Sequence, residues 1–150
     1  MRAPYNVLVI PYFLGNEENL FCVFKRRDMK IWQFIAGGGE GQELPLTAAR
    51  RESFEEAGIP IRNEYKELES MCYVPAHYFS EAVQKTWKKY VIPVYVFCVN
   101  VNTLNINLSD EHTEYKWCTF EEAMQLVYFD LDKTALYELN ERIKNDVWSN

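Results

Sequence analysis

The chain has 150 residues, of which 48% are hydrophobic and 15% aromatic, with 16 Lys and Arg against 22 Asp and Glu for a formal net charge of -6. A chain of this length and apolar content buries a core of its own, so disorder is excluded and a single domain over residues 1–150 is expected. The acidic balance argues against a generic nucleic-acid or anionic-membrane binder, because such proteins need basic surface to neutralise phosphate.

The opening Met1-Arg2-Ala3-Pro4-Tyr5 lacks the order of a signal peptide. No run approaches the ~18 apolar residues of a membrane span. Cys22, Cys72, Cys98 and Cys118 show no metal-type or redox-type spacing, so reduced thiols and a cytoplasmic location are expected.

In chain order, residues 6–14 and 20–26 are rich in Val, Ile, Leu and Phe and read as strands joined through the turn residues 15–19 into a hairpin. Residues 45–57 read as a helix, with Pro45 at its first position and Gly58 as its stop. Further strands are predicted over 66–74, 90–101 and 114–119. Helices follow over 120–127, with Thr119 as cap, and over 133–147, with Leu136, Leu139, Ile143 and Val147 on one face. Strands mixed with three helices indicate an α/β or α+β domain in which helices cover a sheet.

The chemistry concentrates between residues 37 and 59, where Gly37-Gly38-Gly39-Glu40-Gly41 precedes a helix carrying Glu52, Glu55 and Glu56. Three- and four-residue spacing puts these carboxylates on one helical face, near the C-terminal end where the dipole disfavours anions. Such a cluster is either screened by water or used to hold a hard cation such as Mg²⁺ through oxygen ligands. Glu40 and Glu43 could fold back to the same ion, and the glycines permit close backbone approach. The segment holds five glutamates and two arginines, so half of the chain's negative excess lies in it.

Gly37, Glu43, Arg51, Glu52, Glu55, Glu56, Gly58 and Ile59 stand at the eight spacings of the Nudix box, and the chain resembles a Nudix hydrolase. Ser53 departs from that motif, occupying its aliphatic slot. The resemblance implies an α/β/α sandwich with a mixed central sheet and hydrolysis of a nucleoside diphosphate linked to another moiety. It implies Glu52, Glu55, Glu56 and the Gly37 carbonyl as metal ligands, with Glu52 alternatively orienting the water. Arg51 would hold a glutamate, with Glu43 as partner, and Glu40 would join the metal shell in the substrate complex. From the loop 109–112, Glu111 is the expected further ligand or general base, with Glu114 in reserve. The catalytic set is therefore Arg51, Glu52, Glu55 and Glu111, and the cofactor Mg²⁺ with Mn²⁺ as substitute.

Lys25, Arg26 and Arg27 are candidates for binding phosphate, with Lys30 nearby. Trp32, Phe34 and Tyr78 are the leading candidates for stacking on a base or pterin, with Tyr12, His77, Phe79 and Trp87 behind them. Within the family the chain is most similar to pyrophosphohydrolases of dATP or dihydroneopterin triphosphate, which implies a small nucleotide as partner. The alternatives are a diadenosine polyphosphate hydrolase and a non-catalytic nucleotide-sensing module. Neither a nucleic-acid nor a membrane partner is expected, and the aromatic content leaves a homodimer open.

Overall fold

A computed structural model describes residues 1–148. Among these, strands β1 (Arg2–Leu14), β2 (Asn19–Arg26), β3 (Trp32–Gln33), β4 (Ile35–Glu40), β5 (Tyr65–Pro75), β6 (Val91–Asn100) and β7 (His112–Cys118) form one mixed sheet. Helices α1 (Pro45–Ala57), α2 (Glu81–Trp87), α3 (Phe120–Leu126) and α4 (Asp130–Asn145) pack around it, with a 3₁₀ turn over Ala76–Tyr78. The order is β3-β2-β1-β6-β5, with β4 on β1 and β7 on β2, and β1 runs parallel to β6.

The near-continuous apolar run of β1 is explained by burial on both faces. Val7 and Val9 pack with Ala48 and Ala49 of α1, whereas Leu8 and Ile10 pack with Ala123 of α3 and Leu136 and Leu139 of α4. Helices thus cover both faces of the mixed sheet, as the family resemblance implies. Phe21, Phe24 and Phe34 are fully buried within these two layers.

The edge of β1 is shared. Tyr12, Phe13 and Leu14 pair with β2, and from Asn6 to Val9 the strand pairs instead with β4. The predicted hairpin is therefore present only at its turn. The glycine run read as a loop is largely strand, because Gly37 and Gly38 are held in register against Val7 and Asn6. Pairing to a buried neighbour overrides the weak strand preference of glycine.

Helix α1 has its predicted bounds, and Gly58 ends it in the left-handed region at φ 70°. Thr119 and Glu122 form a capping box on α3. Helix α4 begins three residues before the predicted start, and Val147 lies beyond its end, half exposed. Helix α2 carries no sequence prediction; the Ser80 hydroxyl caps it, and it buries Trp87, whose indole N–H donates to the Arg2 carbonyl at 2.8 Å. Among the described residues no helix is long and apolar enough to cross a membrane.

The packing makes a direct prediction. Phe34→Ala should destabilise the protein by about 3–5 kcal/mol, as buried aromatic truncations do, read as a lower urea midpoint.

Candidate active site

The site is assembled at the C-terminal half of α1, the strand β4 and the loop before β7. Gly37 lies directly against the Glu52 carboxylate, so any side chain there would collide with it. Absence of a Cβ is what lets strand and helix approach this closely. Ser53, in the aliphatic slot of the motif, is fully buried beside the Tyr65 hydroxyl.

Arg51 organises the acids. Its Nε and Nη2 donate to the two oxygens of Glu43 at 2.9 and 3.0 Å, the bidentate pair anticipated for it. Its Nη1 donates to Glu52 at 2.9 Å and to Glu55 at 3.2 Å, and its Nη2 also donates to the Gly38 carbonyl at 2.8 Å. This charge-assisted network holds Glu43 well below its ordinary carboxylate range and raises the Arg51 guanidinium. Tyr5 fixes the other side of the loop by donating its hydroxyl to the Glu43 carbonyl at 2.7 Å.

Glu56 has the opposite environment. It is 3% exposed, and no donor reaches either carboxylate oxygen among the described residues. Burial first, and then the facing carboxylates of Glu111 and Glu52, push its pKa up to about 10. Burial likewise raises Glu52, despite its contact with Arg51. A buried carboxylate without a donor is costly, and a cation is the partner that removes the cost.

Glu111 reaches this point through main-chain bonds. The N–H groups of Asn107 and Ser109 donate to the carbonyls of Ala57 and Glu56 at the end of α1, at 3.0 and 3.1 Å. The Arg27 N–H donates to the Glu111 carbonyl at 3.0 Å, and its Nε to the Asp110 carbonyl at 2.7 Å. Arg27 thereby anchors the acidic loop as well as offering charge.

The other predicted residues are distributed as follows. Glu40 is exposed at the end of β4, its N–H donating to Glu43. Lys25 pairs with Glu114 at 3.5 Å, which takes the reserve acid away from the cluster. Arg26 is held by both oxygens of Asp28, at 2.9 and 2.7 Å. Trp32 is half buried against the core, with Lys116 over its ring. Tyr78 is exposed at the rim of a cavity, T-shaped to His77.

Phe34 corrects an expectation. Its ring is fully buried among Leu8, Ile10 and Leu136 and is closed to any ligand. Tyr12 and Trp87 are buried too. The aromatic residues of this chain serve mainly the two core layers, and composition does not separate a core ring from a stacking one.

Two residues near the acids were not assigned from sequence. His112 is buried, its ring tilted on Phe24, with Nδ1 3.9 Å from Glu56 Oε1, and desolvation lowers its pKa. The Arg2 guanidinium lies against Gly38, donates to Asn6 Oδ1 and to the carbonyls of Ala3 and Tyr5, and sits over Phe79 and Trp87. Both are placed against residues distant in the chain, Phe24 and Glu56 for His112 and Gly38, Phe79 and Trp87 for Arg2, so no local pattern announces them.

The donor set suits a hard divalent cation, being all oxygen, with a buried carboxylate that lacks a donor. Glu52 and Glu55 are held by Arg51, and among the described residues no three His, Cys, Asp or Glu side chains already stand as a metal-binding group.

A family model for the NUDIX domain matches residues 4–139 of this chain. The chain belongs to the NUDIX domain family. Its fold superposes with a TM-score of 0.87 on a protein of Listeria monocytogenes described as a candidate NUDIX hydrolase, with 40% identity over 96% of this chain and 97% of that one. The dihydroneopterin triphosphate pyrophosphohydrolase of E. coli shares the fold, with TM-score 0.73 and 21% identity over 93% of this chain and 97% of that one. An RNA pyrophosphohydrolase of Bartonella bacilliformis is 29% identical over 107 residues, 65% of this chain. That match spans 63% of the relative's length.

Proposed function

We propose that this NUDIX chain is an Mg²⁺-dependent pyrophosphohydrolase that cleaves a nucleoside triphosphate or related nucleoside-diphosphate-linked substrate, of dATP or dihydroneopterin triphosphate type, to a monophosphate and pyrophosphate. The observation that carries this reading is Glu56, buried without a donor between Glu111 and Glu52, the latter lying against the Gly37 backbone. An acidic surface of this kind binds a polyphosphate through a divalent cation.

Glu52, Glu55, Glu56 and Glu111, with the Gly37 carbonyl and, in the substrate complex, Glu40, are the groups that would hold the cation. When bound, such an ion supplies neutralisation of pyrophosphate charge and acidification of the attacking water. Glu52 or Glu111 orients that water and accepts its proton. Arg51 keeps the rotamers of Glu52 and Glu55 fixed while remaining tied to Glu43. Lys25, Arg26 and Arg27 offer positive charge for the departing phosphates. The RNA pyrophosphohydrolase relative supports the choice of a pyrophosphate bond as the target. Four free cysteines, three of them buried, support a reducing, cytoplasmic setting.

The test is a panel of dATP, dGTP, dihydroneopterin triphosphate, diadenosine tetraphosphate and 5′-triphosphate RNA, assayed for products with Mg²⁺, Mn²⁺ or chelator. Pyrophosphate release that falls to background on chelation is the expected result. Tight nucleotide binding with no turnover on any member would replace this reading by a sensing module, and ATP with AMP as products would favour the dinucleotide substrate.

A further inference from the structure

Glu56 faces a second buried polar group that the proposed reaction does not use. The side chains of His112 and Glu56 are 1% and 4% exposed, with Nδ1 3.9 Å from Oε1. Among the described residues, neither imidazole nitrogen and neither carboxylate oxygen has a hydrogen-bond partner. Arg51, which serves Glu43, Glu52 and Glu55, makes no bond to Glu56. Buried donors and acceptors are normally paired, and a displacement of about 1 Å would bring these two within hydrogen-bond range.

An irregularity in β7 aims this ring at Glu56. Trp117 packs in the layer under α1, and strict alternation along the strand would turn His112, an odd number of residues away, to the opposite face. The pairing with β2 shifts between them: Lys25 stands opposite Glu114 and Arg26 opposite His112, so Thr113 is the extra residue. A bulge of this kind re-aims the side chain beside it. His112 is thereby carried to the α1 side, where its ring tilts on the fully buried Phe24 at a centroid distance of 5.4 Å and faces Glu56.

We propose that His112 is a positioning residue for the cation site: its Nδ1–H donates to Glu56 Oε1 and fixes the carboxylate so that the other oxygen is presented to a divalent cation. An imidazole can supply that donor in either charge state, and a carboxylate opposite Nδ1 selects the tautomer that carries it. Carboxylates that ligate a metal are themselves held by hydrogen bonds, and losing such a holder costs roughly 10–100-fold in metal affinity. The acids are then divided between two holders, Arg51 for Glu52 and Glu55 and His112 for Glu56. The inference rests on the reading of Glu56 as a cation ligand, and separate variants test the two.

The experiment is Mn²⁺ binding to the full chain without nucleotide, read from the free-ion signal in electron paramagnetic resonance, alongside the melting temperature. His112→Phe keeps a ring against Phe24 but has no donor. It should weaken Mn²⁺ binding by ~10-fold or more while the melting temperature stays level or rises, since two buried nitrogens without partners are removed. His112→Asn is smaller and should melt lower, yet its amide nitrogen stands where Nδ1 does and should keep Mn²⁺ affinity within ~3-fold of wild type. His112→Gln, whose nitrogen falls at the Nε2 position, should bind as poorly as His112→Phe. On a Glu56→Gln background, adding His112→Phe should cost nothing further, because the ring acts through that carboxylate. With Glu56→Gln impaired, three results would each overturn the proposal: unchanged affinity in His112→Phe, affinity that follows the melting temperature across the variants, or an additive loss in the double variant. Full Mn²⁺ affinity in Glu56→Gln would instead remove Glu56 from the ligand set, and the proposal with it.

Discussion

Glu56→Gln is expected to lower turnover of the preferred nucleotide by at least ~100-fold while making the cation-free protein more stable. A lost ligand that stabilises developing charge is worth several kcal/mol, and 100-fold corresponds to about 2.7 kcal/mol. The stability gain follows from burial. With its folded pKa pushed up to about 10, Glu56 keeps a proton that the unfolded chain releases near the ordinary carboxylate value. The folded state therefore loses relative stability as pH rises between those two values. At pH 7 the amide, which has no proton to lose, should recover up to roughly 3 kcal/mol. Urea denaturation with chelator measures that gain, and added Mg²⁺ should stabilise the wild type more than the variant. A variant that retained near-normal turnover would remove Glu56 from the ligand set. Glu55→Gln, on the exposed side of the same face, should show the loss of turnover at a similar size.

Arg51 should give the second large effect, of a different kind. One guanidinium bridges Glu43, Glu52, Glu55 and the Gly38 carbonyl, which a lysine ammonium cannot reproduce because it lacks the planar fork. Arg51→Lys should retain most of the stability but lower kcat by ~10–100-fold, as loss of groups that orient ligands does. Arg51→Ala leaves three carboxylates facing one another and should also destabilise the fold by about 2–3 kcal/mol, discounted from the buried-pair value because these groups are partly solvated. The Mg²⁺ concentration for half-maximal rate should rise in both. Full activity in Arg51→Lys would reduce the network to a structural one.

Much of the site could be read locally because its largest part lies on one helix. Pro45, Gly58 and helical spacing define α1 and put Glu52, Glu55 and Glu56 on neighbouring faces without reference to anything else in the chain. The pairing of Arg51 with Glu43, which the family resemblance implied, joins residues only eight positions apart in the chain. The strand character of residues 35–40 was not legible, because glycine has no strand preference and the pairing that imposes it comes from β1. Phe34 was assigned to ligand stacking because a ring before a glycine run is equally suited to a pocket or a core, and only its burial decides between them.

The sequence by itself determined the candidate acids, their spacing on a helix, the resemblance to the family and an acidic overall charge. Tertiary structure alone decided which of those acids is desolvated. Glu56 and Glu55 are adjacent in sequence and identical in chemistry, yet one is buried without a donor and the other lies half exposed on Arg51. That difference arises from the packing of α1 against the sheet, and from the hydrogen bonds that draw residues 107–111 onto the helix end. Composition sets how much charge and apolar surface the chain carries, and burial sets what each charge does.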